Sequence, residues 1–273
     1  DEPTNVGNTS EDAMPDVREV ADRVYRFEMR IARMPGPTVV YLINEPQGAL
    51  IEPGPAAAAP SIQRAMAKLG MTRLSYIIPT HVHVDHGGGA GTLARLFPKA
   101  KVVVHPRGAK HLASPERLIE STKLVYGQDF EKDLGPIMPV PESQLQVAED
   151  GDTVPLGNRE LQIIYTTGHS PHHMVMLDRS LNALFCGEAL GHPGNQLPTL
   201  APYSFEQEAY LATIEKLQKL KVEMLFYSHG DEDIMRQVAD DFYDRFGQRL
   251  TKTDLEMAVA GYVVYFTSKG MLP

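Results

Sequence analysis

Residues 81–86 are the part of the chain best suited to metal chemistry. They read His81-Val-His83-Val-Asp85-His86, so four side chains able to bind a metal fall within six positions. Imidazole nitrogens and carboxylate oxygens together suit zinc, iron or manganese. Side chains two positions apart on an extended segment point the same way, so His81 and His83 can converge on one metal, and Asp85 shares their parity. A second metal beside the first would take Asp85 and His86.

Six residues cannot fill two coordination shells, so the chain must bring further ligands from elsewhere. Three candidates, His169, Glu188 and His229, each end or closely follow a short apolar run typical of a buried strand. Residues 74–80 form a similar run before the metal-rich segment, and the three glycines after that segment suit a tight transition into a helix. We therefore expect all of these side chains to meet at one edge of a sheet.

Taken together, these motifs resemble the metallo-β-lactamase superfamily, whose signature is HxHxDH followed by a distant His, a distant Asp and a final His. The resemblance spans roughly residues 20–230 and keeps the order of all the motifs. It implies an α/β fold, the four-layer αββα sandwich, with two divalent metal ions. Zinc is the expected metal, with iron and manganese as alternatives. By this resemblance the first metal is held by His81, His83 and His169, and the second by Asp85, His86 and His229.

Two glutamates depart from the pattern of the superfamily. Glu188 stands where the family has a bridging Asp, and Glu52 stands where it often has the Asp of an Asp-x-Gly turn. The side chain of Glu is one methylene longer. Glu188 could therefore bridge the metals at a changed separation, bind one metal only, or favour a metal other than zinc.

Several other polar residues have a structural interpretation. His173 matches the second His of the GHxxGH stretch that the family often shows, and we expect His172 and His173 to pack or to orient ligands. His105 and His111 are expected to be ordinary surface or core histidines. Cys186 lies in an apolar run and is expected to be an inert buried thiol, and a single cysteine excludes an internal disulfide.

The loop at residues 191–203 directly follows Glu188 and is rich in proline and glycine. Its place makes it a candidate wall of the substrate pocket, carrying His192 and Tyr203. Tyr203 could donate a hydrogen bond to an oxyanion, with simple packing as the alternative. Residues 106–140 also interrupt the alternation of strands and helices, and in the family such a segment commonly overhangs the metals.

Composition narrows the class of partner. The net charge is −9, from 35 acidic and 26 basic residues, which argues against a nucleic-acid partner because phosphate binding needs a basic surface. No apolar run approaches the length that crosses a membrane. A small-molecule substrate and a cytoplasmic location are therefore expected.

The pattern of apolar residues predicts three parts of the chain: a flexible arm at residues 1–17, the metal-binding domain at 18–230, and a helical extension at 231–273. The extension would pack on the domain or form a homodimer contact. Within the domain, the pattern predicts the following elements: strands at 24–27, 38–43, 48–51, 74–80 and 101–105, a hairpin at 154–164, and helices at 56–69, 109–126 and 205–220.

The site predicts a metal-dependent hydrolase. A hydroxide bound to two metals would attack an ester-like bond in a small molecule, with Asp85 as the catalytic residue that orients it. The expected bonds are a thioester, a lactone, a carboxylic ester or a β-lactam. The alternative is a di-iron oxygen-binding or redox protein, or an iron dioxygenase, of the same fold.

Overall fold

The computed structural model describes residues 14–32, 36–191 and 204–230. Most of the predicted arm, the loop residues His192 and Tyr203, and the predicted extension at 231–273 lie outside the described residues. The division of the chain into an arm, a domain and an extension therefore stays a prediction.

Seven strands form the first sheet. They are β1 (Arg18–Ala21), β2 (Val24–Met29), β3 (Thr38–Ile43), β4 (Ala49–Ile51), β5 (Tyr76–Ile78), β6 (Lys101–Val104) and β7 (Leu145–Val147). They lie in the order of the sequence, with antiparallel pairing from β1 to β4 and parallel pairing from β4 to β7. All six residues of β3 are buried, as its unbroken apolar sequence requires of a strand covered on both faces.

Five strands form the second sheet. They are β8 (Thr153–Pro155), β9 (Glu160–Tyr165), β10 (Met174–Asp178), β11 (Ala183–Gly187) and β12 (Met224–Tyr227). Their order is β12-β11-β10-β9-β8. β10 is antiparallel to both β9 and β11, and β12 is parallel to β11, so β9, β11 and β12 all run in one direction. The carboxyl ends of these three strands therefore lie at the same edge of the sheet.

The helices connect and cover the strands. They are α1 (Ala59–Lys68), α2 (Val84–Gly87), α3 (Ala90–Leu96), α4 (Pro106–Ala113), α5 (Glu116–Tyr126), α6 (Glu131–Leu134) and α7 (Gln207–Gln218). None of them, in the described part of the chain, is long and apolar enough to cross a membrane.

The single helix predicted at residues 109–126 is wrong, because the segment contains two helices. α4 ends at Ala113 and α5 begins at Glu116. Pro115 has no N–H to donate and disfavours helical backbone in the residue before it, and Ser114 is extended with φ −134° and ψ 88°. The apolar periodicity continues across this break, and for that reason it predicts one helix.

The two sheets face each other across a continuous apolar cluster. Tyr41 of β3 packs edge-on against Phe185 of β11, with ring centroids 5.4 Å apart. Truncating Phe185 to alanine would cost about 3–5 kcal/mol. The outer face of the first sheet is covered by α1, α3 and α4, and that of the second sheet by α7. These layers form the αββα sandwich, so the predicted fold class is confirmed.

Candidate metal centre

The HxHxDH segment changes conformation in its middle. His81 and His83 follow β5 at bends of the backbone, and α2 begins at Val84. Asp85 and His86 therefore lie on the first turn of a helix. The two-residue parity applies to the pair His81 and His83 and does not extend to Asp85. Because the backbone changes direction here, His81 and His83 point to one ligand group and Asp85 and His86 to the neighbouring one.

The other three candidate ligands come from the second sheet. His169 follows β9, Glu188 directly follows β11, and His229 follows β12. These three strands run in the same direction, so their ligands meet at one edge, facing the segment that leaves β5. All seven side chains predicted from the sequence as ligands are thus brought together.

His81, His83 and His169 form the first group, together with Glu188. Nε2 of His81 lies 2.8 Å from Nδ1 of His83, and Nε2 of His169 lies 3.2 Å and 3.1 Å from these two atoms. Tetrahedral zinc, with Zn–N distances of about 2.0–2.1 Å, holds its ligand nitrogens about 3.3–3.4 Å apart. The three imidazoles therefore converge at nearly the spacing that a single metal ion requires.

Asp85, His86 and His229 form the second group. Nε2 of His86 lies 3.3 Å from Nε2 of His229, and Oδ2 of Asp85 lies 3.4 Å and 3.5 Å from these two nitrogens. His86 is fully buried, and His229 is 9% exposed. Two imidazoles and a carboxylate at this spacing fit a second divalent ion.

Glu188 contacts both groups of ligands. Its Oε2 lies 2.8 Å from Nε2 of His169 and 3.4 Å from Nε2 of His81 in the first group. The same oxygen lies 3.3 Å from Nε2 of His86, and Oε1 lies 3.8 Å from Nε2 of His229, both in the second group. Its side chain thus occupies the position of a bridging ligand, and the extra methylene reaches between the groups.

Burial and neighbouring charges shift the pKa values of the ligands in different directions. Burial lowers the pKa of His81 well below its ordinary value and that of His83 to about 3, so both rings are neutral, as metal binding requires. Burial alone would raise the pKa of Asp85, but His86 and His229 hold it well below its ordinary value. Burial opposes the charge of His86, yet Asp85 and Glu52 raise its pKa. His81, His83 and Asp85 therefore have the protonation states that metal binding requires. His86 would have to release a proton, and so would His229, whose pKa the contact with Asp85 raises against the effect of burial.

Glu52 supports one histidine of each group. Its Oε1 accepts a hydrogen bond of 2.7 Å from the hydroxyl of Thr80, and that hydroxyl oxygen lies 3.1 Å from Nδ1 of His81. Its Oε2 lies 3.2 Å from Nδ1 of His86, a close ion contact whose angles are not those of a hydrogen bond. Both contacts favour a proton on Nδ1 and leave Nε2 free for a metal. The sequence singles out Glu52 as a departure, but nothing in it indicates this double contact.

His173 and Gly187 hold Glu188 in place. Nε2 of His173 accepts a hydrogen bond of 3.2 Å from the backbone N–H of Glu188, and Nδ1 lies 2.7 Å from the hydroxyl of Thr166. Gly187 has φ +53°, and a Cβ there would lie 2.7 Å from both His173 and Thr80. The predicted orienting role of His173 agrees with this geometry.

The end of β12 is fastened to the first sheet. The hydroxyl of Tyr41 donates to the carbonyl of Tyr227 at 2.5 Å, and the N–H of Val39 donates to the carbonyl of Ser228 at 2.8 Å. Arg26 reaches the carbonyl of Gly230 at 3.2 Å. The backbone on both sides of His229 is therefore fixed by residues of β2 and β3.

The segment at residues 106–140 packs onto α2. Leu118, Phe130 and Leu134 form a buried cluster with Val84, the residue between His83 and Asp85. Tyr126 packs against this cluster at the end of α5, where burial, followed by the charge of Asp85, raises the pKa of its phenol. Its hydroxyl therefore stays protonated beside the ligands. No motif in the sequence points to Tyr126.

His172, His111 and Cys186 lie near the ligands. His172 is 8% exposed and packs edge-on against His83, with ring centroids 5.7 Å apart. His111 contacts His172 from the outer side, with centroids 6.2 Å apart. Cys186 is fully buried and burial raises its pKa, which agrees with an inert thiol. His192 and Tyr203 lie outside the described residues, so their place in a pocket stays a prediction.

Comparison with protein families identifies this arrangement. The model of the metallo-beta-lactamase superfamily matches residues 33–229, a range that contains all seven candidate ligands. A solved structure of an archaeal metallo-beta-lactamase superfamily protein from Sulfolobus tokodaii superimposes with a TM-score of 0.67 at 22% identity, covering 83% of this chain and 87% of that one. At this identity the similarity shows the fold alone.

Two curated relatives extend the comparison. A metallo-beta-lactamase fold-containing protein of Sulfurisphaera tokodaii is 30% identical over 166 residues, which are 59% of this chain and 62% of the relative. An acyl-coenzyme A thioesterase of Bos taurus is 27% identical over 176 residues, which are 62% of this chain and 56% of the relative. The chain thus spans less than two thirds of the length of both relatives.

Proposed function

Because the chain belongs to the metallo-beta-lactamase superfamily, we propose that it is a metal-dependent hydrolase that cleaves an ester-like bond in a small molecule. The observation that carries this proposal is the pair of ligand groups joined by Glu188, which lies 2.8 Å from His169 of one group and 3.3 Å from His86 of the other. Such a pair fits two adjacent divalent ions.

The ligand chemistry supports zinc as the metal. His81, His83 and His169 would hold the first ion, Asp85, His86 and His229 the second, and Glu188 would contact both. When bound, two such ions supply a hydroxide at neutral pH and polarise the carbonyl group of the substrate. Iron and manganese accept the same nitrogen and oxygen ligands and are the alternatives.

Asp85 is proposed as the catalytic carboxylate. Its side chain is 17% exposed, the largest exposure in its group, so one face is open to solvent and to a substrate. Contacts with His86 and His229 keep its pKa low, and it therefore remains an acceptor at neutral pH. An ionised acceptor at this position can orient the attacking hydroxide.

Among ester-like bonds, we propose a thioester as the substrate, with a lactone, a carboxylic ester or a β-lactam as the alternatives. The similarity to a protein named as an acyl-coenzyme A thioesterase supports this preference. The excess of nine negative charges also supports a small substrate over a polyanion.

Replacing ligands of the first group tests the proposal. We expect His83→Ala and His169→Ala each to abolish turnover of a neutral thioester such as S-acetyl-N-acetylcysteamine by the zinc-loaded protein, because each change removes one of three imidazoles. His111→Ala is the control, since its ring lies outside both groups. Full activity in either ligand variant would contradict the assignment of the site.

A di-iron redox protein is the second candidate, because Glu188 places an additional long carboxylate among the imidazoles. The di-iron members of the superfamily typically have Glu at the position of His83, which counts against this candidate. Metal content after purification without a chelator separates the two functions. About two zinc ions per chain supports the hydrolase, and about two iron atoms supports the redox protein.

A further inference from the structure

A cavity of about 380 Å³ lies beside the loop that carries His169, apart from the metal-binding side chains. This volume is at the lower end of the range for pockets that hold small molecules. It is lined by His105, Arg107, Tyr165, Thr167, Gly168, Pro171, Ser204 and Glu206.

The cavity contacts the backbone that positions His169. Gly168 and Pro171 line it on either side of this ligand, and the hydroxyl of Ser204 donates to the carbonyl of His169 at 3.3 Å. The N–H of Glu206 donates to the carbonyl of Gly168 at 2.8 Å. A molecule bound here would therefore contact the backbone of the His169 loop on the side away from the other metal ligands.

Two aromatic rings form one wall of the cavity. The ring of His105 packs on that of Tyr165, with centroids 4.2 Å apart. Nδ1 of His105 accepts a hydrogen bond of 3.0 Å from the N–H of Arg107, so the proton of the neutral ring is on Nε2. Burial and the charge of Arg107 lower the pKa of His105 and keep it neutral. The Nε2–H has no acceptor among the described residues and can donate to a ligand.

Two opposite charges line the same cavity without neutralising each other. The side chains of Arg107 and Glu206 are exposed, and within the described ranges neither makes an ion pair or a side-chain hydrogen bond. A guanidinium binds a carboxylate through two parallel hydrogen bonds, and a carboxylate accepts hydrogen bonds from an ammonium or amide group. Glu206 would also repel a phosphate dianion drawn to Arg107.

We propose that this cavity binds a small zwitterion of the amino-acid or peptide type. Arg107 and the Nε2–H of His105 bind its carboxylate, Glu206 binds its ammonium group, and its apolar stem lies on the wall formed by His105 and Tyr165. The site goes beyond the proposed hydrolysis, because the zwitterion is either one arm of the substrate or a separate molecule that acts on the His169 loop.

Calorimetric titration with the dipeptide alanylalanine tests the site. We expect binding that is weakened about tenfold or more by Arg107→Gln and by Glu206→Gln, and similarly weakened when N-acetylalanine or alaninamide replaces the dipeptide. Arg117→Gln and Glu208→Gln are matched controls, because both are exposed charges on helices outside the cavity. Unchanged affinity in both cavity variants, tighter binding of inorganic phosphate, or no binding at millimolar concentration would overturn the proposal.

A kinetic comparison identifies the source of the zwitterion. If it is an arm of the substrate, Arg107→Gln and Glu206→Gln raise KM for S-acetylglutathione and leave KM for the neutral thioester S-acetyl-N-acetylcysteamine unchanged. If it is a separate molecule, both KM values are unchanged and the calorimetric effect remains. Inactivity towards both thioesters would count against a thioester as the substrate and not against the cavity, because the titration does not depend on turnover.

Discussion

The carboxylate of Glu188 contacts a histidine of each ligand group, and its reach depends on side-chain length. We expect Glu188→Asp to withdraw the carboxylate by up to about 1.5 Å, the length of one carbon–carbon bond, and to lose contact with one group. The number of zinc ions bound per chain should then fall from two towards one. Mass spectrometry of metal content after reconstitution with equal amounts of zinc measures this change.

Glu188→Gln is the matched comparison, because it keeps the length of the side chain and removes the charge. We expect it to weaken both ions, since Glu188 contacts His169 in the first group and His86 in the second. Two tightly bound zinc ions in the Asp variant would show that length is not the property that matters at this position.

Glu52 is expected to affect both ions without binding either. In Glu52→Gln, one oxygen of the carboxylate becomes an NH2 group, which donates hydrogen bonds. The one remaining oxygen cannot accept from Thr80 and face the protonated Nδ1 of His86 at the same time. Loss of such an orienting partner typically lowers metal affinity by about 10–100-fold. Competition for zinc with a chromophoric chelator measures the affinity, and a change below twofold for both ions would exclude this role.

The seven candidate ligands could be found from the sequence, because metal chemistry restricts their residue types and because each lies at or near the end of an apolar run. The contacts that orient them could not. Thr80 and His173 meet their partners through tertiary packing, and no spacing along the chain links Glu52 to His86. Residue types therefore predict which side chains bind a metal. The resemblance also predicts an orienting role for His173, but only the fold shows which atoms make the orienting contacts.

The turn that begins at Glu188, directly after β11, depends on Gly187, the last residue of that strand. Gly187→Ala would impose a left-handed backbone on alanine, at a cost of about 1–2 kcal/mol, and would bring a Cβ within 2.7 Å of His173 and Thr80. We expect a lower melting temperature together with weaker zinc binding, since the clash displaces the residues that orient Glu188 and His81.

Gly70→Ala is a matched control for this turn. Gly70 has a similar φ of +66°, but nothing lies within 4 Å of a Cβ there. It should lower the melting temperature by about 2–4 °C for each kcal/mol of strain and leave zinc affinity unchanged. Equal zinc affinities in the two variants would show that the crowding at Gly187 does not reach the metal centre.

Periodicity predicted β2 to β6 and the hairpin of β8 and β9, did not predict β1, β7 or β10, and predicted breaks poorly. It gives one helix at residues 109–126 because apolar positions keep their spacing across Pro115. It likewise extends the parity of His81 and His83 to Asp85, although the helix α2 begins at Val84. The spacing of apolar residues indicates which side of an element faces the core. It does not indicate where the hydrogen bonds of a helix begin or end.

The ligands come from both sheets of the sandwich. His81, His83, Asp85 and His86 follow a strand of the first sheet, whereas His169, Glu188 and His229 follow strands of the second. The alternation of strands and helices predicts the layers and the shared edge. It does not predict that the chain passes from the first sheet to the second between β7 and β8, because the membership of a sheet depends on packing between segments far apart in the chain.

Since bound ions would link the two sheets, we expect their removal to destabilise the whole domain. An ion present at about 1,000 times its Kd adds about 4 kcal/mol to the free energy of unfolding. Removing one such ion with a chelator should lower the melting temperature by about 8–16 °C, because each kcal/mol corresponds to about 2–4 °C in a domain of this size. Calorimetric scans with and without zinc measure the shift.

Variants separate this effect from a general action of the chelator. His83→Ala should show a much smaller zinc-dependent shift than the parent protein, whereas His111→Ala should keep the full shift because its ring lies outside both groups. A parent protein that melts at the same temperature with and without zinc would mean that the two sheets are held by their apolar contact alone. The seven side chains would then be an arrangement that the fold maintains without help from a metal, as the packing of Tyr41 on Phe185 already suggests for the rest of the interface.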